Sequence, residues 1–196
     1  YDDDEDRGVR AGINMIKRLW DWNAVREKEG KMPVDMGLGI NTDKVVSGNI
    51  GSSKRMDYTM IGDGVNLAAR LESACKAYSA RILISEFTYK NLKGTYQTRY
   101  IDDVIVKGKT KAVGVHEILD YHTSKTFPNL MDTVNHFNEG RVSFKSGDWL
   151  KSIKSFKECL KANPVDKLSN TYIERCEIMK KKKPKEWDGI WIMTSK

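Results

Sequence analysis

The sequence predicts an α+β fold, in which an antiparallel-rich sheet has helices packed on one side and a small helical extension follows. Strand-like and helix-like segments alternate in the first part of the chain, but strands paired across short turns dominate there. After residue 121 the strand pattern ends and a polar stretch leads into helical segments. We therefore expect a body at 1–121, a linker at 122–132 and a helical unit with a tail at 133–196.

The body opens with an amphipathic helix at about 7–29. Its apolar positions recur at four-three-four spacing: Val9, Ile13, Ile16 and Trp20. Two strands at 34–41 and 44–50 follow, and the short turn between them predicts that they form a β-hairpin with each other. Gly37, Gly39, Gly48 and Gly51 within this pair suggest bulges or close backbone approach.

The central stretch is a strand, a tight turn and a helix. Glycines at Gly62 and Gly64 end the strand, and helix-compatible apolar residues follow from Val65. Asn66 and Arg70 are four residues apart, so they share one helix face. That face begins at a helix N-terminus, which favours an anion, and an amide beside a guanidinium suits a sugar and a phosphate.

The remaining strands of the body lie at 81–85, 96–106 and 113–119. Ser85 is placed to cap a short helix at 86–92. The last two strands predict a second pair around a turn that contains Lys107.

The helical unit resembles one 34-residue tetratricopeptide repeat at about 133–166, with a third helix at 169–179. Small or aromatic residues stand at the spacings that let two antiparallel helices pack closely: Gly140, Phe144, Gly147, Trp149, Phe156 and Pro164. One repeat does not make a stable solenoid, so we expect this unit to pack on the body or on a partner.

Composition excludes several classes. No apolar run approaches the roughly 18–20 residues of a membrane span, and the acidic N-terminus is unlike a signal peptide. The net charge of +7 permits an anionic ligand, but no basic stripe with aromatic residues indicates nucleic acid. Three widely spaced cysteines fit reduced thiols, so we expect a cytoplasmic protein. The first residue is Tyr1, and we expect the chain to begin inside a domain.

The run Asp57–Arg70 closely resembles the second half of the class III nucleotidyl cyclase catalytic domain, a family that includes bacterial and mammalian adenylyl cyclases. The similarity continues before it at Gly39–Thr42 and Val46–Gly51 and after it at Val106–Thr110. The resemblance implies that residues 1–121 are the C-terminal half of such a domain, with a ferredoxin-like cyclase fold. It also implies an adenylyl cyclase, which converts ATP to cyclic AMP and pyrophosphate.

The resemblance assigns roles to four residues. Arg70 would stabilise the α-phosphate in the transition state, and Asn66 would orient the ribose. Lys107 would bind the outer phosphates, and Thr59 would read the base and favour ATP. Each has an ordinary alternative: Arg70 pairs with a nearby acid, Asn66 bonds local backbone, Lys107 is a solvated turn lysine, and Thr59 is a strand residue.

The resemblance also implies two divalent metal ions, Mg or Mn, and a second cyclase domain paired head to tail as a homodimer. The two family motifs that carry the metal-binding aspartates do not occur in this sequence, so their ligands are expected outside this segment. The chain alone is therefore expected to be inactive. The alternatives are a guanylyl cyclase and a non-catalytic cyclase-like dimerisation or regulatory module.

Overall fold

A computed structural model describes residues 1–52, 55–105, 112–184 and 186–191. The predicted Lys107 lies outside these ranges. The elements within them, in chain order, are α1 (Asp4–Lys28), β1 (Leu38–Ile40), β2 (Val46–Ser52), β3 (Arg55–Ile61), α2 (Asp63–Tyr78), β4 (Ile82–Ser85), α3 (Glu86–Asn91), β5 (Thr98–Ile105), β6 (Ala112–Ile118), α4 (Leu130–Lys145), α5 (Trp149–Ala162) and α6 (Lys167–Lys182). None of the helices in the described ranges is long and apolar enough to cross a bilayer.

The main sheet has four strands in the order β1-β4-β6-β5. β1 runs parallel to β4, with Leu38 opposite Ile82, and the other two pairings are antiparallel. β2 and β3 form a separate antiparallel pair, here called the β2–β3 hairpin.

The predicted hairpin between the strands at 34–41 and 44–50 is wrong, because β1 and β2 do not pair. The chain instead crosses from β1 through the β2–β3 hairpin and α2 to β4, and a parallel pair needs a crossover connection of that kind. The local pattern located both strands, but the partner of β1 comes from more than 40 residues away, at Ile82–Ile84.

The main sheet is buried on both faces. On β4, Leu83 belongs to one apolar cluster, and its neighbours Ile82 and Ile84 belong to another, as side chains of alternating direction require. Helix α1 covers the second cluster with Val9 and Ile16. Helix α2 and the helical unit cover the first. The α+β class and the antiparallel-rich sheet are therefore confirmed, but helices cover both faces rather than one.

Helices α4, α5 and α6 form the helical extension and share one core with the sheet. Phe137, Phe156 and Tyr172 from these helices are buried in the same cluster as Leu71 of α2 and Val115 of β6. The sharing of a core confirms a helical extension that packs on the body. The resemblance to a tetratricopeptide repeat and the boundaries at 121 and 133 stay predictions.

The stretch that connects sheet and extension carries an aromatic cluster around the half-buried His122. The His122 ring lies 4.2 Å from the ring of Tyr121, 5.1 Å from Phe127 and 5.6 Å from Trp20. Burial, aided by the nearby positive charge of Arg99, lowers the pKa of His122 from 6.5 to about 4. The native state therefore holds this imidazole neutral at pH values where the unfolded chain protonates it.

Replacing His122 with phenylalanine is expected to flatten the pH dependence of stability. Because the folded pKa is lowered, the neutral ring contributes stability above pH 6.5, which is lost as the pH falls toward 4. Urea unfolding of wild type and His122→Phe at several pH values in this window measures the difference in slope. Equal slopes for wild type and His122→Phe would contradict this prediction.

Candidate active site

The site is built around the start of α2. Gly62 joins β3 directly to α2 with φ of 155° and ψ of 164°, a backbone conformation that glycine adopts without strain. The turn therefore places the N-terminus of α2 immediately beyond the β2–β3 hairpin. The N-terminus of a helix is suited to an anion, because its N–H groups and dipole point toward it.

Asn66 and Arg70 stand one helical turn apart on α2. Asn66 is exposed and Arg70 is half-buried, while Leu67, Leu71 and Ala74 are buried on the other side of the helix. Both predicted residues therefore present polar groups on the solvent side of α2.

The side chains of Asn66 and Arg70 have no hydrogen bond or ion pair to any other residue in the described ranges. The alternative in which Arg70 pairs with Glu72 is not observed, since the Glu72 carboxylate accepts a hydrogen bond from Ser73. A guanidinium that the protein leaves without an internal carboxylate is available to an anionic ligand.

Thr59 lies on β3, opposite Gly48 of β2, and is exposed. It precedes α2 by four residues. No hydrogen bond joins Thr59 to Asn66 or Arg70 in the described ranges. The structure thus places Asn66 and Arg70 together on one helix and Thr59 on the adjoining hairpin.

The β2–β3 hairpin exposes apolar side chains on both of its faces. Tyr58 is 73% exposed, and Met56 and Met60 share its face. Val46 is 66% exposed on the opposite face, where it pairs with the exposed Ile61. An isolated two-stranded ribbon with apolar surface of this extent is typical of a contact with another protein domain.

The backbone of α2 packs directly against the backbone of β1. A Cβ added at Gly39 would overlap the carbonyl oxygen of Ala68 and the amide nitrogen of Glu72, both in α2. Asn41, just after β1, donates a hydrogen bond of 3.1 Å from Nδ2 to the carbonyl oxygen of Gly64. The prediction of close approach or bulges is confirmed at Gly39 and is wrong at Gly48, which pairs regularly with Thr59 and has open space where a Cβ would stand. The role of Asn41 was missed, although it lies within the Gly39–Thr42 motif.

Substituting Gly39 with alanine is expected to displace α2 and to destabilise the fold by about 1–3 kcal/mol, the usual cost of forcing an extra methyl into a packed core. Gly48→Ala is the matched control, because a Cβ at Gly48 meets nothing within 4 Å. Urea midpoints of the two variants measure the effect. A Gly39→Ala variant as stable as Gly48→Ala would contradict close backbone packing of α2 against β1 at Gly39.

The residues within the described ranges do not form a metal site. No group of three His, Cys, Asp or Glu side chains in the described part of the chain is arranged to hold an ion. His116, which is buried on β6, pairs through Nε2 with Glu86 at 2.6 Å and stacks on Tyr89, and burial lowers its pKa. The donors for the two implied metal ions are therefore not brought together by the described residues.

Comparison with known protein families assigns the chain to a class of protein. The sequence profile of the adenylate and guanylate cyclase catalytic domain matches residues 7–121. The chain belongs to this family.

Curated relatives support the assignment. The chain is 37% identical to the terminal-differentiation specific adenylate cyclase of Dictyostelium discoideum over 172 residues, which are 86% of this chain and 8% of that protein. It is 37% identical to an adenylate cyclase of Anabaena cylindrica over 124 residues, 60% of this chain and 25% of that one. The chain thus spans a quarter or less of either relative.

Solved structures agree. The crystal structure of the adenylyl cyclase CyaB from P. aeruginosa has a TM-score of 0.50 and 38% identity over 56% of each chain. That of the guanylyl cyclase Cya2 has a TM-score of 0.51 and 35% identity, covering 60% of this chain and 59% of that one.

Proposed function

We propose that this chain supplies the base-, ribose- and transition-state-binding half of an adenylyl cyclase that converts ATP to 3′,5′-cyclic AMP and pyrophosphate. The observation that carries the proposal is the α2 face, where Asn66 and Arg70 lie one turn apart. Their side chains have no hydrogen-bond or ion-pair partner in the described ranges. The membership of residues 7–121 in the cyclase family gives this face its chemistry.

In this reaction the ribose 3′-hydroxyl loses its proton to water, its oxygen bonds to the α-phosphorus, and the bond from that phosphorus to the pyrophosphate oxygen breaks. Negative charge grows on the phosphoryl oxygens as this happens. Arg70 would donate N–H groups to these oxygens, and a cation fixed in advance on a helix stabilises the transition state more than the ground state. Asn66 would hold the ribose so that its 3′-oxygen faces the phosphorus.

Thr59 and Lys107 complete the proposed set. Thr59 offers a short hydroxyl that accepts a hydrogen bond from the adenine amino group or donates one to a ring nitrogen. Lys107 would attract the outer phosphates as a point charge. The exposure of Thr59 on the hairpin is consistent with a base lying against that strand.

A second cyclase domain would complete the site. The β2–β3 hairpin is the proposed contact, since its exposed apolar side chains need a cover. We propose head-to-tail pairing with a second cyclase domain, in which the segment that this chain lacks would bring the carboxylates for the two divalent metal ions.

A complementation assay tests the proposal. The chain is assayed with ATP and with GTP in Mn²⁺, first alone and then with the N-terminal half of a class III cyclase domain. We expect cyclic AMP only in the complemented mixture.

The other outcomes separate the alternatives. Cyclic GMP as the main product would favour a guanylyl cyclase, the class that the likeness to Cya2 keeps in view. Absence of any product, together with absence of nucleotide binding, would leave a non-catalytic dimerisation or regulatory module.

A further inference from the structure

Helix α6 of the helical extension is joined to the proposed catalytic helix through one buried carboxylate. Asp102 on β5 accepts two hydrogen bonds at the same oxygen, Oδ2: one from the Tyr78 hydroxyl at 2.9 Å and one from Arg175 Nη1 at 2.7 Å. Tyr78 is the last residue of α2, and Arg175 lies in the middle of α6. All three residues are at least 95% buried.

A bulge in β5 makes this three-way contact possible. The pairing with β6 shifts between Tyr100 and Asp102, so these two residues face consecutive partners and Ile101 has none. Ile101 is part of the core beneath α2 and the extension. In a regular strand Asp102 would point away from that core, and the bulge turns its carboxylate toward it.

The Arg175 guanidinium is held in one position, because it is a buried cation. Its guanidinium lies 4.9 Å from the Tyr172 ring centre and 5.2 Å from that of Trp191, so aromatic rings surround it. Asp102 is its ion-pair partner. A buried charge of this kind is held in one geometry, since leaving it unpaired is costly.

The rest of α6 is also anchored to the sheet. The Tyr172 hydroxyl donates a hydrogen bond of 2.5 Å to the carbonyl oxygen of Ile101. Asp166, just before α6, accepts one of 2.8 Å from Arg99 on β5. Helix α6 is therefore held firmly on β5, and the end of α2 is attached to it through Asp102.

Helix α2 connects this anchor to the proposed site. Arg70 precedes Tyr78 by eight residues, about 12 Å along the helix axis. Because a helix moves as a rigid element, a shift or tilt at Tyr78 is transmitted to Asn66 and Arg70. A displacement of about 1 Å at a reacting group costs about 10²-fold in rate.

We propose that Arg175 is a positioning residue for the cyclase reaction. Through Asp102 and Tyr78 it fixes the position of α2, so the helical extension contributes to the geometry of the nucleotide site. The similarity to the Dictyostelium cyclase covers 86% of the chain and therefore extends past residue 121 into this extension. The expected effect on catalysis rests on the proposed function, but the contact between α6 and α2 through Asp102 does not depend on it.

The test compares four full-length chains: wild type, Arg175→Met, Arg175→Lys and Ser152→Ala. Ser152 is the matched control, because it is buried in the same extension, donates to the Gly140 carbonyl oxygen and accepts from Cys176 Sγ on α6, while none of its hydrogen bonds in the described ranges reaches α2. Hydrogen exchange is measured at the amides of 63–71 in α2 and at those of α4 and α5. kcat and KM are measured in the complemented cyclase assay.

We expect Arg175→Met to speed exchange at 63–71 about tenfold, because it removes the cation that fixes the Asp102 carboxylate to which the Tyr78 hydroxyl donates. We expect kcat to fall about 10- to 100-fold with KM changed less than about twofold, as misplacement of transition-state groups predicts. Arg175→Lys should partly restore the slow exchange at 63–71 and the wild-type kcat. Ser152→Ala should speed exchange within the extension and leave 63–71 at the wild-type rate.

Equal exchange at 63–71 in Arg175→Met and Ser152→Ala would overturn the inference. If Arg175→Met does not fold, Tyr78→Phe replaces it, since that change keeps the Arg175–Asp102 pair and removes only the hydroxyl of α2. If the wild type yields no cyclic nucleotide, the proposed function fails while the exchange data still decide the link.

Discussion

Replacing Arg70 with alanine is expected to lower cyclic AMP formation about 10²–10³-fold in the complemented assay, the usual loss when one preorganised donor to a developing oxyanion is removed. The fold should be unaffected, because the Arg70 guanidinium has no internal partner in the described ranges and the apolar side of α2 is left intact. KM should change little, since the guanidinium is proposed to act mainly in the transition state.

Lys76→Ala is the matched control for Arg70→Ala. Lys76 is an exposed cation on the same helix, six residues further on and on a different face. It should keep wild-type kcat. Equal losses in the two variants would show that a general charge effect, and not the position of Arg70, accounts for the result.

Replacing Arg99 with methionine is expected to destabilise the fold by about 3–5 kcal/mol, the range for breaking a buried ion pair by removing one partner. Arg99 donates from Nε and Nη2 to the Glu117 carboxylate at 2.9 and 2.7 Å and from Nη1 to Asp166 at 2.8 Å. All three side chains are at least 95% buried. Without the guanidinium, two carboxylates remain in the core beside each other. The measurement is urea unfolding at neutral pH.

The pH dependence of the Arg99→Met variant gives a second readout. Burial raises the pKa of Glu117 even with Arg99 beside it. Removing the cation raises that pKa further, so the folded variant holds protons that the unfolded chain releases. Its stability should therefore increase as the pH is lowered from neutral toward the ordinary pKa of a glutamate.

A triple variant separates charge from packing in this cluster. Arg99→Met combined with Glu117→Gln and Asp166→Asn carries no buried charge at these three positions. It should regain much of the lost stability, since neutral groups of similar volume often replace a buried ion network without cost. A triple variant as unstable as Arg99→Met would indicate that packing of the arginine stem dominates.

The sequence by itself determined the elements that local chemistry encodes. The strand, glycine turn and helix at Arg55–Ile61 and Asp63–Tyr78 follow from residue pattern and from the turn at Gly62. The cap of α3 followed from Ser85, whose hydroxyl accepts a hydrogen bond from the Thr88 amide. The placement of Asn66 and Arg70 on one helix face needed only their spacing of four residues.

The partner of β1, the two covered faces of the sheet and the anchoring of α6 were decided by tertiary structure. Leu38 pairs with Ile82 because the crossover through α2 brings β4 beside it, and no local pattern specifies a partner so distant along the chain. Arg99, Asp102 and Arg175 are charged, and sequence pattern places charged residues on the surface. They are buried because each meets a partner from a distant element, and only the folded chain brings those partners within hydrogen-bonding distance.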